Sequence, residues 1–164
     1  MSRGLNNNNP GNIRLSASQW LGQVVPGGDS SFCQFESMAY GYRAMFVLLN
    51  GYIAAGYDTI AKIIARYAPS SENNTTAYIN HVVALTSIDQ NTVIDPTNRE
   101  TMINLVAAIS FVENGTMANF TDVTAGYDLL NGEVTTVKAV GYSLAALVLV
   151  SALGYIAFKI FQKN

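Results

Sequence analysis

Four stretches of the chain place apolar residues at helical spacing, and each is bounded by residues that start or stop helices. The pattern predicts helices over residues 38–55, 59–67, 75–85 and 96–112. Ser37 and Asp58 stand where N-caps of the first two helices would lie, and Asp95 with Pro96 supplies a cap followed by proline for the fourth. Gly115 is expected to end the fourth helix in the left-handed conformation.

The first 35 residues carry a different pattern, in which short alternating segments are separated by turn residues. These segments are residues 12–15, 19–25 and 32–35. An asparagine-rich turn around Pro10 and Gly11 precedes them, and Asn, Pro and Gly favour turns. The pattern predicts a small hairpin or three-stranded ribbon that opens a mainly helical chain. A polar N-terminal cap with a few strands is the simpler interpretation.

The opposite end of the chain contains an uncharged apolar run from Ala139 to Phe158. About 20 residues at about 1.5 Å rise cover the hydrocarbon core of a bilayer, which is about 30 Å thick. Lys138 precedes the run and Lys159 follows it. We therefore predict a C-terminal transmembrane helix, with a buried core helix as the alternative. The expected organisation is a domain over 1–118, an irregular linker over 119–133, and the anchor with a short basic tail over 134–164.

Composition narrows the possible chemistry. The 164 residues carry a formal charge of −2 with 12% charged residues, which does not indicate a nucleic-acid surface. Cys33 and His81 are each the single residue of their type, so the chain cannot assemble a His/Cys metal cluster. We expect no metal, no cofactor and no nucleic-acid partner.

Several ordered motifs resemble those of phage and prophage muralytic proteins of the lysozyme-like superfamily. The resemblance covers most of the chain before residue 115 and rests on Asn8-Asn9-Pro10-Gly11-Asn12-Ile13-Arg14, Trp20-x-Gly22, Phe32-x-x-Phe35-Glu36-Ser37, Gly41-x-Arg43-Ala44-Met45, Ile63-Ile64-Ala65-Arg66-Tyr67-Ala68-Pro69 and Glu72-Asn73-x-Thr75-x-x-Tyr78-Ile79. It implies an α+β lysozyme-like domain that cleaves the MurNAc-GlcNAc glycan of peptidoglycan. In soluble lytic transglycosylases the helix with the catalytic acid precedes the β element. Here it follows, so the resemblance implies a circular permutation.

A glycosidase of this kind needs a carboxyl group that can act as a general acid. Glu113 lies at the predicted end of the fourth helix, where the helix dipole favours the neutral form of a carboxyl group. We predict that Glu113 is the general acid/base, with an exposed helix-end residue as the alternative. Glu72 is the second choice, although a carboxylate before a helix also serves as a cap. By the resemblance, Tyr78 would orient the acid or the sugar.

The opening segment supplies the candidate substrate-binding residues. Amide side chains and backbone groups suit the hydroxyl and N-acetyl groups of peptidoglycan, so Asn8, Asn9, Asn12 and Arg14 are predicted to line the cleft. Alternatively, the same side chains hold the turn together. Glu36, directly before the first predicted helix, is assigned a structural role.

These expectations together describe a membrane-anchored phage enzyme, either a lytic transglycosylase or a muramidase, acting at genome entry or host lysis. Its partners would be peptidoglycan glycan strands, a lipid membrane and other virion proteins. The expected location is the virion membrane of a membrane-containing phage, with the host inner membrane as the alternative. A structural virion protein with an inactive lysozyme-like domain and a peptidoglycan endopeptidase are the competing functions.

Overall fold

The computed structural model describes residues 1–130 and residue 132. The predicted anchor between Ala139 and Phe158 and the basic tail lie outside this range. Among the residues that are described, the search for a helix both long enough and apolar enough to cross a membrane finds none.

Six helices make up the described part of the chain: α1 (Arg3–Asn6), α2 (Met38–Ala54), α3 (Ile60–Tyr67), α4 (Thr75–Thr86), α5 (Arg99–Asn114) and α6 (Phe120–Leu130). The prediction of a mainly helical fold is therefore confirmed. Two starts differ from prediction. Thr59, and not Asp58, caps α3 by accepting from the Lys62 amide at 3.3 Å. Helix α5 begins after Asn98, whose side-chain oxygen accepts from the Thr101 amide at 3.0 Å.

The predicted N-terminal ribbon is reduced to isolated antiparallel bridges, Arg14 with Phe32 and Gln23 with Phe35. Backbone hydrogen bonds from Cys33 to Ile13 and from Leu15 to Ser31, both 2.9 Å long, accompany the first bridge. The amide nitrogen of Asn9 donates to the carbonyls of Ile13 at 2.9 Å and Cys33 at 2.8 Å. The bridges pair the three predicted segments, but the ribbon does not extend beyond single bridges, so the opening segment is a folded loop with almost no strand.

Residues 120–130, which were predicted as part of an irregular linker, form α6 and pack against α2. A Cβ atom at position 126 would lie only 2.6 Å from the Cβ of Tyr42, so Gly126 permits the close approach of the two helices. Phe46 and Tyr127 meet edge to face at 5.2 Å between ring centroids. Residues 120–130 are therefore helical and not an irregular linker, because Val123 and Tyr127, four positions apart, place buried side chains on one helix face.

Helix α5 runs through the core and places Glu113 in its last turn. Its buried face includes Met102, Leu105, Val106 and Ile109, all fully buried. At its other end Arg99 bonds to Asp128 of α6 at 3.0 Å, so α5 and α6 run antiparallel. Gly115 ends α5 with φ +65°, as predicted.

Candidate active site

The carboxylate of Glu113 meets both the opening segment and α4. Its Oε2 accepts a hydrogen bond from Asn12 Nδ2 at 2.7 Å, and its Oε1 accepts one from the Tyr78 hydroxyl at 2.8 Å. Glu113 is half-buried. Three predicted site residues from distant parts of the chain are therefore brought together, and two donors hold the carboxylate in one orientation.

Asn12 reaches Glu113 from a constrained turn. Its φ is +47°, a left-handed conformation that asparagine tolerates better than most residues. The backbone amide of Asn12 donates to the backbone carbonyl of Asn9 at 3.0 Å and closes the turn. Gly11 is required beside it, because a Cβ there would lie 2.6 Å from the Tyr67 hydroxyl. Uncommon backbone conformations of this kind are concentrated at functional sites.

Tyr78 contacts the carboxylate from a buried position on α4. Burial, followed by the nearby Tyr67 and Glu113, raises the pKa of Tyr78 well above its usual value, so the phenol stays protonated. The hydroxyl also lies 3.4 Å from the Ile109 carbonyl. A phenol has one proton and can also accept. Tyr78 can thus donate to ionised Glu113, or accept from protonated Glu113 while donating to Ile109.

Two further residues complete the site, and the sequence analysis assigned neither a role there. The Tyr67 hydroxyl donates to the Gly11 carbonyl. Burial, with the charge of Glu113 adding to it, raises the pKa of Tyr67. Asn114 donates to the Pro10 carbonyl at 2.7 Å and accepts from Ser2 Oγ at 2.5 Å. Both residues fix the opening segment against α3 and α5. The signal for Tyr67 in the sequence is its place in the motif over 63–69, which resembles muralytic proteins.

Asn8 and Asn9 hold the turn together, which is the alternative interpretation of these residues. Asn9 is fully buried, and its Oδ1 accepts from the Ile13 amide at 2.9 Å. Asn8 donates to the Phe35 carbonyl at 3.0 Å. The structure therefore shows both amides engaged with the backbone.

Arg14 and Glu72 pair with each other at the surface, with 3.3 Å between Arg14 Nη2 and Glu72 Oε2. Their side chains are 70% and 61% exposed, so the pair contributes little stability. Neither is among the groups that contact the Glu113 carboxylate. Among residues 1–130, no group of three or more His, Cys, Asp or Glu side chains could hold a metal ion.

The sequence comparison identifies a phage relative. The chain is 38% identical to protein P5 of Pseudoalteromonas phage PM2 over 118 residues, which cover 70% of this chain and 72% of the phage protein. The chain belongs to the family of this phage protein. No family model matches it. The relative's name states no activity.

Proposed function

We propose that this phage protein is a peptidoglycan-degrading enzyme in which Glu113 is the general acid and base. The observation that carries the proposal is the convergence of Asn12 and Tyr78 on the two oxygens of one carboxylate. Asn12 lies in the segment whose motif resembles muralytic proteins. The proposal therefore joins this motif to the candidate acid in the last turn of α5.

The contacts of Glu113 favour chemistry that needs a single carboxyl group. Among the described residues, its side-chain partners are an amide and a phenol. In a lytic transglycosylase, the acid gives its proton to the glycosidic oxygen as the bond to C1 of MurNAc breaks, and the 2-acetamido oxygen bonds to C1. The resulting carboxylate then takes the proton of the C6 hydroxyl, whose oxygen displaces the acetamido group and closes a 1,6-anhydro ring. A muramidase would use water in the second step.

Tyr78 supports this cycle because it suits both protonation states of the acid. It can donate to the carboxylate at 2.8 Å, or turn its proton toward the Ile109 carbonyl at 3.4 Å when Glu113 carries the proton. Asn12 donates to the other oxygen. No group on the protein needs to move far between the two steps, and preorganisation of this kind lowers the barrier to reaction.

The position of Glu113 is compatible with an anchor over 139–158, because Glu113 lies at the opposite end of α5 from the point where the chain leaves α6. Helix α5 advances about 21 Å from Arg99 to Glu113 at about 1.5 Å per residue. The chain leaves α6 at the end marked by the bond between Arg99 and Asp128. A domain held in a virion membrane by that end would present Glu113 away from the lipid, toward the cell wall at genome entry.

A zymogram on purified peptidoglycan, run with the full chain in detergent, tests the proposal. Wild type should clear the substrate, and Glu113→Gln should not. Glu100→Gln is the matched control because Glu100 lies exposed in the first turn of the same helix. Glu72→Gln should also clear. Equal clearing by wild type and Glu113→Gln would refute the role of Glu113. Absence of clearing by folded wild type would favour a non-enzymatic virion protein in which Glu113 only fastens the opening segment.

A further inference from the structure

An ion pair joins the opening segment to the turn before α4, beside the bonds that hold the candidate acid. Asn12 and Tyr78 meet at the Glu113 carboxylate. Arg14, two residues after Asn12, contacts Glu72, which lies three residues before the start of α4. Two extended residues span at most about 7 Å, so the backbone of Arg14 stays close to that of Asn12. The ion pair and the bonds to the acid therefore cross between the same two parts of the chain.

Arg14 is supported by more than its acidic partner. Its backbone pairs with Phe32 in an antiparallel bridge, and its guanidinium carbon lies 5.5 Å from the centroid of the Phe32 ring. A guanidinium at this distance over an aromatic face is attracted to the ring. The position of the Arg14 guanidinium thus does not depend on Glu72 alone.

The contact with Glu72 is the loosest salt bridge among residues 1–130. It is the longest of the four, at 3.3 Å, and both of its side chains are more exposed than those of the other three pairs. Arg3, by contrast, holds Asp29 through two bonds of 2.6 Å. A guanidinium has five N–H donors and binds a carboxylate best through two parallel bonds. Arg14 can therefore exchange Glu72 for a carboxylate that it binds in this way.

We infer that Arg14 is a specificity-determining residue of the Glu113 site and binds a carboxylate of peptidoglycan, which displaces Glu72. The inference rests on the proposed function, because it takes the surface beside Glu113 as the place where glycan binds. The sugar rings and N-acetyl groups are neutral, so an arginine beside the acid selects a charged part of the substrate. Two parts of peptidoglycan carry carboxylates: the stem peptide, and the lactyl group of a MurNAc that has lost its peptide. The preferred substrate class is therefore anionic glycan over neutral, chitin-type glycan.

Isothermal titration of the full chain in detergent, at low ionic strength, tests the inference with three disaccharides. GlcNAc-MurNAc-L-Ala-D-Glu carries peptide carboxylates, GlcNAc-MurNAc carries the free lactyl carboxylate, and N,N′-diacetylchitobiose is the neutral control. The two muramyl probes lack the MurNAc-GlcNAc bond, so their binding is measured without cleavage. At least one of them should bind wild type about 5-fold or more tightly than the neutral control, because a bidentate ion pair adds affinity even when exposed. The tighter muramyl probe identifies the source of the carboxylate.

Substitutions of the two paired residues should change binding in opposite directions. Arg14→Gln should weaken the tighter muramyl probe by about 5-fold or more and leave the neutral control unchanged. Glu72→Gln should tighten the same probe roughly 2- to 5-fold, because it removes the carboxylate that competes for Arg14. If the ion pair were only structural, both variants would weaken binding, since either substitution breaks it. Arg66→Gln, which removes an exposed guanidinium from α3, is the matched control and should leave binding unchanged.

Four results would each overturn the inference: no binding of either muramyl probe to wild type, equal binding of the neutral control, undiminished binding to Arg14→Gln, or binding to Glu72→Gln that is no tighter than to wild type. Failure of the enzymatic proposal looks different. Wild type that binds a muramyl probe through Arg14 but does not clear peptidoglycan would retain this site and refute cleavage. Clearing that depends on Glu113, without a preference for the muramyl probes, would refute only the role of Arg14.

Discussion

Asn12 and Glu113 are 101 positions apart in the chain, yet the amide of one donates to the carboxylate of the other at 2.7 Å. A second bond beside it, from Asn114 to the Pro10 carbonyl at 2.7 Å, holds the same two segments together. The opening loop is thus fastened to the end of the central helix at the point where the candidate acid stands. This contact links the fold to the proposed chemistry.

Tyr78→Phe tests the orienting role of the phenol. The variant removes the donor to Glu113 Oε1 while keeping the buried ring. We expect kcat on peptidoglycan to fall roughly 10- to 100-fold with little change in KM, since the lost interaction positions the acid and does not bind the glycan. Tyr57→Phe, at an exposed tyrosine, is the control. A rise in KM with kcat unchanged would instead assign Tyr78 to substrate binding.

Asn9→Ala tests the structural role of the buried amide. Two backbone groups lose their partner, the Cys33 carbonyl and the Ile13 amide, whereas the Ile13 carbonyl keeps the hydrogen bond from the Cys33 amide at 2.9 Å. Each buried polar group left unsatisfied costs about 1–3 kcal/mol, so we expect destabilisation of roughly 2 kcal/mol or more. Asn6→Ala, at an exposed position, should change stability by less than about 0.5 kcal/mol. Chemical denaturation measures both, and similar values would contradict the assignment.

Two glycine substitutions, expected to change the free energy of unfolding in opposite directions, test the backbone conformation at each position. Gly115→Ala forces alanine into φ +65° at the end of α5 and should cost about 1 kcal/mol. Gly51→Ala lies within α2, where an added Cβ would meet nothing within 4 Å, and should stabilise by about 0.5–1 kcal/mol. Thermal unfolding of the two variants decides the signs. A stabilising Gly115→Ala would be incompatible with the left-handed helix end.

Asp29 should make the stability of the folded protein depend on pH in the acid range. Hydrogen bonds from Arg3, and next from the Ser31 amide, hold the pKa of Asp29 well below its usual range. A carboxylate whose pKa is lower in the folded state stabilises the fold above the unfolded pKa, about 3.9, and loses that contribution as pH falls further. The difference in melting temperature between wild type and Asp29→Asn should therefore be largest near neutral pH and shrink below about pH 4. A difference independent of pH would show that the charge is not responsible.

The sequence predicted the elements that depend on local signals. The helical spacing located α2, α3, α4 and α5, and Gly115 marked the end of α5 because left-handed backbone favours glycine there. The predicted end of this helix also indicated Glu113 as the candidate general acid. The periodicity was less informative for the opening segment, which pairs only through single bridges and is held by side-chain bonds from Asn9 to the Ile13 and Cys33 carbonyls. Such a contact leaves no periodic trace in the sequence.

The partners of the acid were only partly predictable. The resemblance gave Tyr78 the role of orienting the acid or the sugar and placed the opening segment near Glu113, but no local signal showed that Asn12 itself donates to the carboxylate. Asn114 directly follows the acid and was not predicted as a site residue, although its side chain donates to the Pro10 carbonyl and holds the opening segment in place.

Mass spectrometry of the soluble fragments released from peptidoglycan tests the central claim most directly, because it identifies the bond that is broken. Wild type should release muropeptides ending in 1,6-anhydro-MurNAc, and folded Glu113→Gln should release none. Fragments with reducing MurNAc ends that depend on Glu113 would retain its acid role but replace the ring closure with hydrolysis. Cleaved stem peptides on intact glycan, or anhydro ends released equally by Glu113→Gln, would contradict the account.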